Sequence, residues 1–180
     1  KRQFVGYIEN DFQKNLIINY IESRTNDPLV ILDPIMGDDG SLYEGVGEEK
    51  IEIYKEILAY ADILMPNFTE ANLLSLDKYK DLIKDNKKYI ITSVYDESGY
   101  YTLGIGQDLH KSYFKKLDLN YTGTGDLMDA LFIIYYLENN DFNKSIDLAV
   151  DKMSEILKLQ KNLIPDSNEI MIESYLSMLD

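Results

Sequence analysis

Three short apolar runs constrain this chain more than any other feature: Leu29-Val30-Ile31-Leu32, the stretch from Asp62 to Met65 closed by Pro66, and Tyr89-Ile90-Ile91-Thr92. A continuous apolar run has no side for water, so it suits a parallel sheet covered on both faces. The segments between the runs carry apolar residues at helical spacing. Asp11 to Ser23 has Phe12, Leu16, Ile17, Tyr20 and Ile21, and Glu48 to Tyr60 has Ile51, Tyr54, Ile57 and Leu58. Thr69 to Leu74 reads as a short helix capped by Thr69 or Asn67. Leu76 to Asp85 is another helical patch, and Phe4 to Ile8 is a further short strand. Tyr100–Leu103 and His110–Phe114 read as antiparallel strands around Gly104-Ile105-Gly106. Asn143 to Gln160 carries Ile146, Ala149, Val150, Met153, Ile156 and Leu157 on one stripe, as a helix packed on a sheet does. Asp166 with Glu169 caps a last expected helix running to Leu179. Strands alternating with helices predict an α/β chain: a three-layer αβα sandwich with a mostly parallel central sheet, one domain over residues 1–180.

Charge and composition exclude several classes of function. Among 180 residues, 18 are basic and 32 acidic, a net charge of −14. That disfavours nucleic acid and anionic membranes, which need a basic face. A phosphate-bearing ligand would need local help from a metal ion, backbone N–H groups or a few lysines. The chain has no cysteine, which excludes disulfides, thiolate metal sites and a Cys nucleophile. It has neither an apolar run of membrane-spanning length nor a signal peptide, so a cytoplasmic setting is expected. It opens Lys1-Arg2-Gln3 and runs at once into a strand, as a chain entered part-way through would.

In parallel α/β sheets ligands bind beyond the carboxyl ends of the strands, and the polar residues of interest stand there. Asp33 and Asp38 follow the first run, Asn67 and Glu70 the second, and Thr92 and Ser93 end the third. Two or three carboxylates and an amide converging there could hold Mg²⁺, which prefers oxygen ligands and keeps several waters. The hydroxyls of Thr92 and Ser93 could bind phosphate oxygens. Taken singly, Asp33-Pro34 is a strand-ending turn, Asn67 and Glu70 open a helix, and Thr92 is an ordinary strand residue. Their joint occurrence at strand ends is what points to a site. Downstream, Asn120 and Gly123-Thr124-Gly125-Asp126 precede the apolar run Leu127–Leu137, expected to be a buried helix. Glycines there let backbone N–H groups approach an anion at the positive end of the helix. A carboxylate at that place repels an anion, but suits a base that takes a hydroxyl proton while the N–H groups hold a phosphoryl group. The bland alternative is an Asp stabilised by the helix dipole alone.

These residues together resemble a family. Asp33-Pro34-Ile35-Met36-Gly37-Asp38, Pro66-Asn67-Phe68-Thr69-Glu70-Ala71, Ile91-Thr92-Ser93 and Gly123-Thr124-Gly125-Asp126 occur in the order found in pyridoxal and pyridoxamine (vitamin B6) kinases of the ribokinase-like superfamily. The resemblance implies ATP-dependent transfer of a phosphoryl group to the hydroxymethyl group of a B6 vitamer, pyridoxal, pyridoxine or pyridoxamine. It implies Asp126 as base and the N–H groups of Gly123, Thr124 and Gly125 as an anion hole. Asn67 and Glu70 would hold Mg²⁺, largely through water, with Asp33 and Asp38 at the metal and phosphate end. Thr92 and Ser93 would contact ATP phosphates or a monovalent cation such as K⁺. The region Leu103–Thr122 and the helix Asn143–Gln160 would flank adenine. A homodimer is also implied. The alternatives are a hydroxymethylpyrimidine kinase, a family that typically carries Cys at the place of Asp126, and a catalytically silent ribokinase-like module. Two departures stand out. The family's chain is longer at its N-terminus by several strands and helices, and Asp129 lies where the family is usually apolar or small.

Overall fold

The computed structural model describes residues 2–26, 28–117, 121–165 and 167–178. Asn120, the expected cap Asp166 and Leu179 lie outside the described residues. The chain packs as two compact units: Lys1–Val94 with Leu103–His110, and Tyr95–Thr102 with Lys111–Asp180.

The first unit runs β1 (Arg2–Val5), α1 (Asp11–Glu22), β2 (Leu29–Leu32), β3 (Gly37–Asp38), β4 (Ser41–Leu42), α2 (Glu49–Leu58), β5 (Ile63–Leu64), α3 (Phe68–Leu73) and α4 (Tyr79–Leu82), then enters β6 (Lys88–Asp96). The three apolar runs become β2, β5 and the start of β6. β1 pairs parallel with β2, β2 with β5, and β5 with β6, in a register that sets Ile31 beside Ile63 and Leu64 beside Tyr89. Val30, Ile31, Leu32, Ile63, Leu64, Ile90 and Ile91 are all buried. Each such side chain contributes about 1.5–3 kcal/mol by leaving water, which is why uninterrupted apolar runs settle between covering helices. With β7 (Gly99–Ile105) and β8 (Leu109–Phe114), the strand order in the sheet is β1-β2-β5-β6-β7-β8. The expected class, α/β with a mostly parallel sheet flanked by helices, is what forms.

Several features of this unit differ from the sequence reading: β1 spans Arg2–Val5 where Phe4 to Ile8 was expected, and α4 takes only Tyr79–Leu82 of the patch from Leu76 to Asp85. The stretch after Pro34, expected as a loop, contains the antiparallel hairpin β3–β4, with Gly37 opposite Leu42. Only glycine fits at Gly37: a Cβ there would stand 2.3 Å from the Ser41 carbonyl oxygen. The apolar stripe of α1, in contrast, is turned to solvent. Phe12, Leu16 and Tyr20 are 70%, 52% and 49% exposed, while the buried residue of the helix is Lys14. The Lys14 ammonium is paired with Asp11 and with Glu56 of α2, so α1 meets α2 through charge. Leu16, Ile17 and Tyr20 of this helix, with Phe4 and Tyr7, line an open groove of about 420 Å³.

The second unit carries α5 (Thr124–Asn139), packed against α6 (Phe142–Leu163), and the 3-10 turn η1 (Ile172–Met178), which forms where an α-helix was expected. Leu127, Met128, Leu131 and Phe132 are the buried apolar side of α5. Phe132 stacks on Tyr136 at 5.4 Å and meets the edge of Phe142 at 5.8 Å. Asn140, at φ 51°, ends α5 in the left-handed region, and the Asp141 side chain caps α6 by accepting from the Lys144 N–H at 3.0 Å. The buried Gln160 holds the following segment: its amide donates to the Glu169 carbonyl at 2.6 Å and accepts from the Met171 N–H at 3.0 Å.

Candidate active site

The chain leaves β5 through Pro66 and turns at once into α3. Asn67 is the N-cap, in extended backbone, and its Oδ1 accepts from the Glu70 N–H at 2.9 Å. Glu70 answers through Oε2, accepting from the Asn67 N–H at 2.9 Å. This capping box satisfies two N–H groups reciprocally and settles the cap on Asn67 in place of Thr69.

These two side chains, with Thr69, hold the hairpin. Glu70 Oε1 accepts from the N–H groups of Met36 at 3.0 Å and Gly37 at 3.4 Å. The Asn67 amide donates to the Gly37 carbonyl at 2.7 Å, and Thr69 Oγ1 accepts from the Gly40 N–H at 2.9 Å. Glu70 is buried, and burial pushes its carboxyl up to about 7, with Asp33 adding to the rise and the backbone donors at Asn67, Met36 and Gly37 opposing it. Three N–H donors suit an ionised acceptor, whereas the surroundings favour a neutral one.

Asp33 is buried at the carboxyl end of β2, with its N–H donating to Val5 at 2.9 Å. Beside it, the phenol of Tyr54 accepts from the Ile8 N–H at 3.1 Å and reaches the carbonyls of Ile35 at 3.2 Å and Gly6 at 3.3 Å. Burial, then the charges of Asp33 and Glu70, raise the Tyr54 pKa. Lys50 is buried too. Its ammonium donates to the Ile8 and Glu9 carbonyls, the second at 2.7 Å, and lies 4.7 Å from the Tyr7 ring centre. Two side chains of α2 therefore tie down the loops that follow β1 and β2. The sequence offered one signal of this: a buried Tyr hydroxyl and a buried Lys must find partners. Asp38 stands exposed at the hairpin, its carboxylate accepting from the Asp39 N–H at 2.8 Å.

Thr92 forms a parallel bridge with Asn67, and its N–H donates to the Pro66 carbonyl at 3.1 Å. Ser93 follows in the left-handed region, at φ 61°. A non-glycine residue there costs roughly 1–2 kcal/mol, and such strain clusters at functional sites. In this unit the strand ends thus bring Asp33, Asn67, Glu70 and Thr92 together, with Asp38 and Ser93 exposed beside them. In the second unit, Gly123 is the N-cap of α5 at φ 88° and supplies no capping side chain. The first-turn N–H groups that follow have no partner within the helix. Asp126 is exposed in that first turn, and Asp129 is buried one turn on.

No family model matches the chain. The pyridoxal kinase of Arabidopsis thaliana is 31% identical over 165 residues, covering 79% of this chain and 52% of the relative. That of Dictyostelium discoideum is 28% identical over 182 residues, 85% of this chain and 60% of the relative. The structure of a pyridoxal kinase from Leishmania donovani, in complex with ADP and pyridoxamine, superposes with a TM-score of 0.83 at 24% identity. It covers 98% of this chain and 69% of that one. The chain is a relative of the pyridoxal kinases, with their ribokinase-like fold. It spans about half the length of the curated relatives it matches.

For a relative of the pyridoxal kinases, the expected cation ligands have an unexpected employment. Asn67 and both oxygens of Glu70 already serve the backbone. Among the described residues no three acidic or histidine side chains form a cation cage. The donor set is nonetheless all oxygen, with the carboxyl groups of Asp33 and Glu70 buried close together. It fits a hard cation that keeps most of its waters.

Proposed function

We propose that the chain is the nucleotide-side portion of an ATP-dependent vitamin B6 kinase, with ATP:pyridoxal 5'-phosphotransferase activity, acting on the hydroxymethyl group of pyridoxal, pyridoxine or pyridoxamine. The observation that carries this reading is the first turn of α5: an exposed carboxylate, Asp126, on a helix opened by the left-handed Gly123. The kinship with pyridoxal kinases supports it.

In this reading Asp126 accepts the proton of the substrate hydroxyl as its oxygen attacks the γ-phosphorus. The bond from that phosphorus to the β–γ bridging oxygen breaks, and ADP leaves. The N–H groups of Gly123, Thr124 and Gly125 take the charge on the transferred group, and Thr92 and Ser93 hold phosphate oxygens or a monovalent cation. Asn67, Glu70 and Asp33 would hold a hydrated Mg²⁺, with Asp38 at the phosphate end, and that ion would supply charge neutralisation. Phosphoryl transfer asks chiefly for positioning and charge stabilisation, which loops and helix ends provide. A homodimer working in the cytoplasm belongs to the same reading.

Asp126→Asn in the protein, assayed with pyridoxal, pyridoxamine and hydroxymethylpyrimidine as acceptors, tests it. Turnover should fall by roughly 10²–10⁴-fold, the contribution of a positioned base, with nucleotide binding nearly intact. A carboxylate that merely meets a helix dipole would cost at most about 1 kcal/mol of stability and leave turnover alone. That second outcome defeats the proposal, and preference for the pyrimidine would reassign the substrate.

A further inference from the structure

The hairpin β3–β4 has two-residue strands, and a hairpin of that size cannot hold its own position in water. Its place is set by what its ends are tied to. The root is tied by Glu70 and Asn67 through Met36 and Gly37. The tip turn is Asp39-Gly40, with φ of 49° and 86°, the double left-handed pattern of a type I′ turn. The Gly40 N–H faces α3, where the buried Thr69 hydroxyl accepts it at 2.9 Å. Thr69 does not cap its own helix, since Asn67 does, so its hydroxyl serves the hairpin.

We propose that Thr69 is a positioning residue for nucleotide use: it latches the hairpin tip to α3 and so fixes where the Asp38 carboxylate stands. The proposal rests on the kinase reading above. Asp38 bonds to the N–H of its own neighbour Asp39, so its carboxylate moves wherever the tip backbone moves. A tip free to swing would carry two acidic side chains across the path of a polyphosphate, repelling it from many positions. Held to α3, the same carboxylates stay at one edge, where a cation arriving with the nucleotide is attracted and the phosphates are not opposed.

The test compares Thr69→Val, which keeps the shape and removes the acceptor, with Thr69→Ser, which restores it. Amide exchange at Gly40 and the KM for ATP in the presence of Mg²⁺ are measured in each. In Thr69→Val, Gly40 exchange should speed up and the KM should rise about three- to tenfold, the worth of one neutral hydrogen bond. kcat and the thermal midpoint should stay within twofold and a few degrees of wild type. Thr69→Ser should return both readouts toward wild type. Unchanged Gly40 exchange in Thr69→Val overturns the latch. Faster exchange with an unchanged KM overturns its role in nucleotide use, as does a Ser variant no better than Val. A wild type that binds no nucleotide overturns the kinase reading and this role with it, while Gly40 exchange still reports on the latch by itself.

Discussion

Replacing Glu70 with alanine removes the acceptor of three backbone N–H groups, those of Met36, Gly37 and Asn67. The Gly37 bond is long at 3.4 Å and contributes little. The other two, at 3.0 and 2.9 Å, leave buried or half-buried donors unsatisfied, at about 1–3 kcal/mol each. The expected loss is therefore about 2–6 kcal/mol, near the lower end if water fills the vacated space. Glu70→Gln retains one oxygen acceptor and should lose about half as much. The assay is urea unfolding followed by circular dichroism, without Mg²⁺ or nucleotide. The chain has no tryptophan, so tyrosine emission is the second probe. A residue serving only as a cation ligand would leave apo stability untouched or raise it by removing a buried charge. An unchanged midpoint in Glu70→Ala, with an effect appearing only when Mg²⁺ and ATP are added, would refute the clamp.

Gly37→Ala should destabilise by about 1–3 kcal/mol, as overpacking does, because the new Cβ meets backbone and not a flexible side chain; thermal unfolding reads this, and wild-type stability would contradict the tight crossing. Asp96 accepts from Lys111 at 2.6 Å, with Ser98 N–H and the Tyr113 hydroxyl beside it, and the ammonium chiefly holds its pKa below the ordinary 3.8. Its folded value lies below its unfolded one, so its stabilisation is present above pH 3.8 and is lost as pH falls through the depressed value. Asp96→Asn should remove that part of the acid sensitivity, measured as amide exchange in β7 and β8 on either side of the transition; identical acid profiles would dismiss the pair.

The order of elements could be read from the sequence because local pattern and burial agree there. β2, β5 and the start of β6 are the apolar runs, and α6 buries Ile146, Ala149, Val150 and Ile156 of the stripe its periodicity announced, with Met153 and Leu157 half-buried. The hairpin was harder. Its strands are too short to show alternation, and Asp39-Gly40 was its only local mark. The outward stripe of α1 could not be read at all, since periodicity tells that a face is apolar but not whether anything covers it. At the site, residue types at strand ends told which side chains to watch. They did not tell that Asn67, Thr69 and Glu70 hold backbone. Those partners lie some 30 residues away in the chain, and only the fold brings them together. The strained φ of Ser93 has no signature in composition.

The outward side of α1, together with β1 at the end of the strand order, sets how this chain behaves in the tube. Phe12, Leu16 and Tyr20 give it a sticky side, and an edge strand offers unpaired backbone next to it. The net charge of −14 keeps molecules apart at low ionic strength. Salt shortens the reach of that repulsion to about 8–10 Å and leaves the apolar contact intact. Self-association should therefore grow with added salt, the reverse of what an assembly held by ion pairs would do. Light scattering across a salt series, repeated with Leu16→Lys, distinguishes the two.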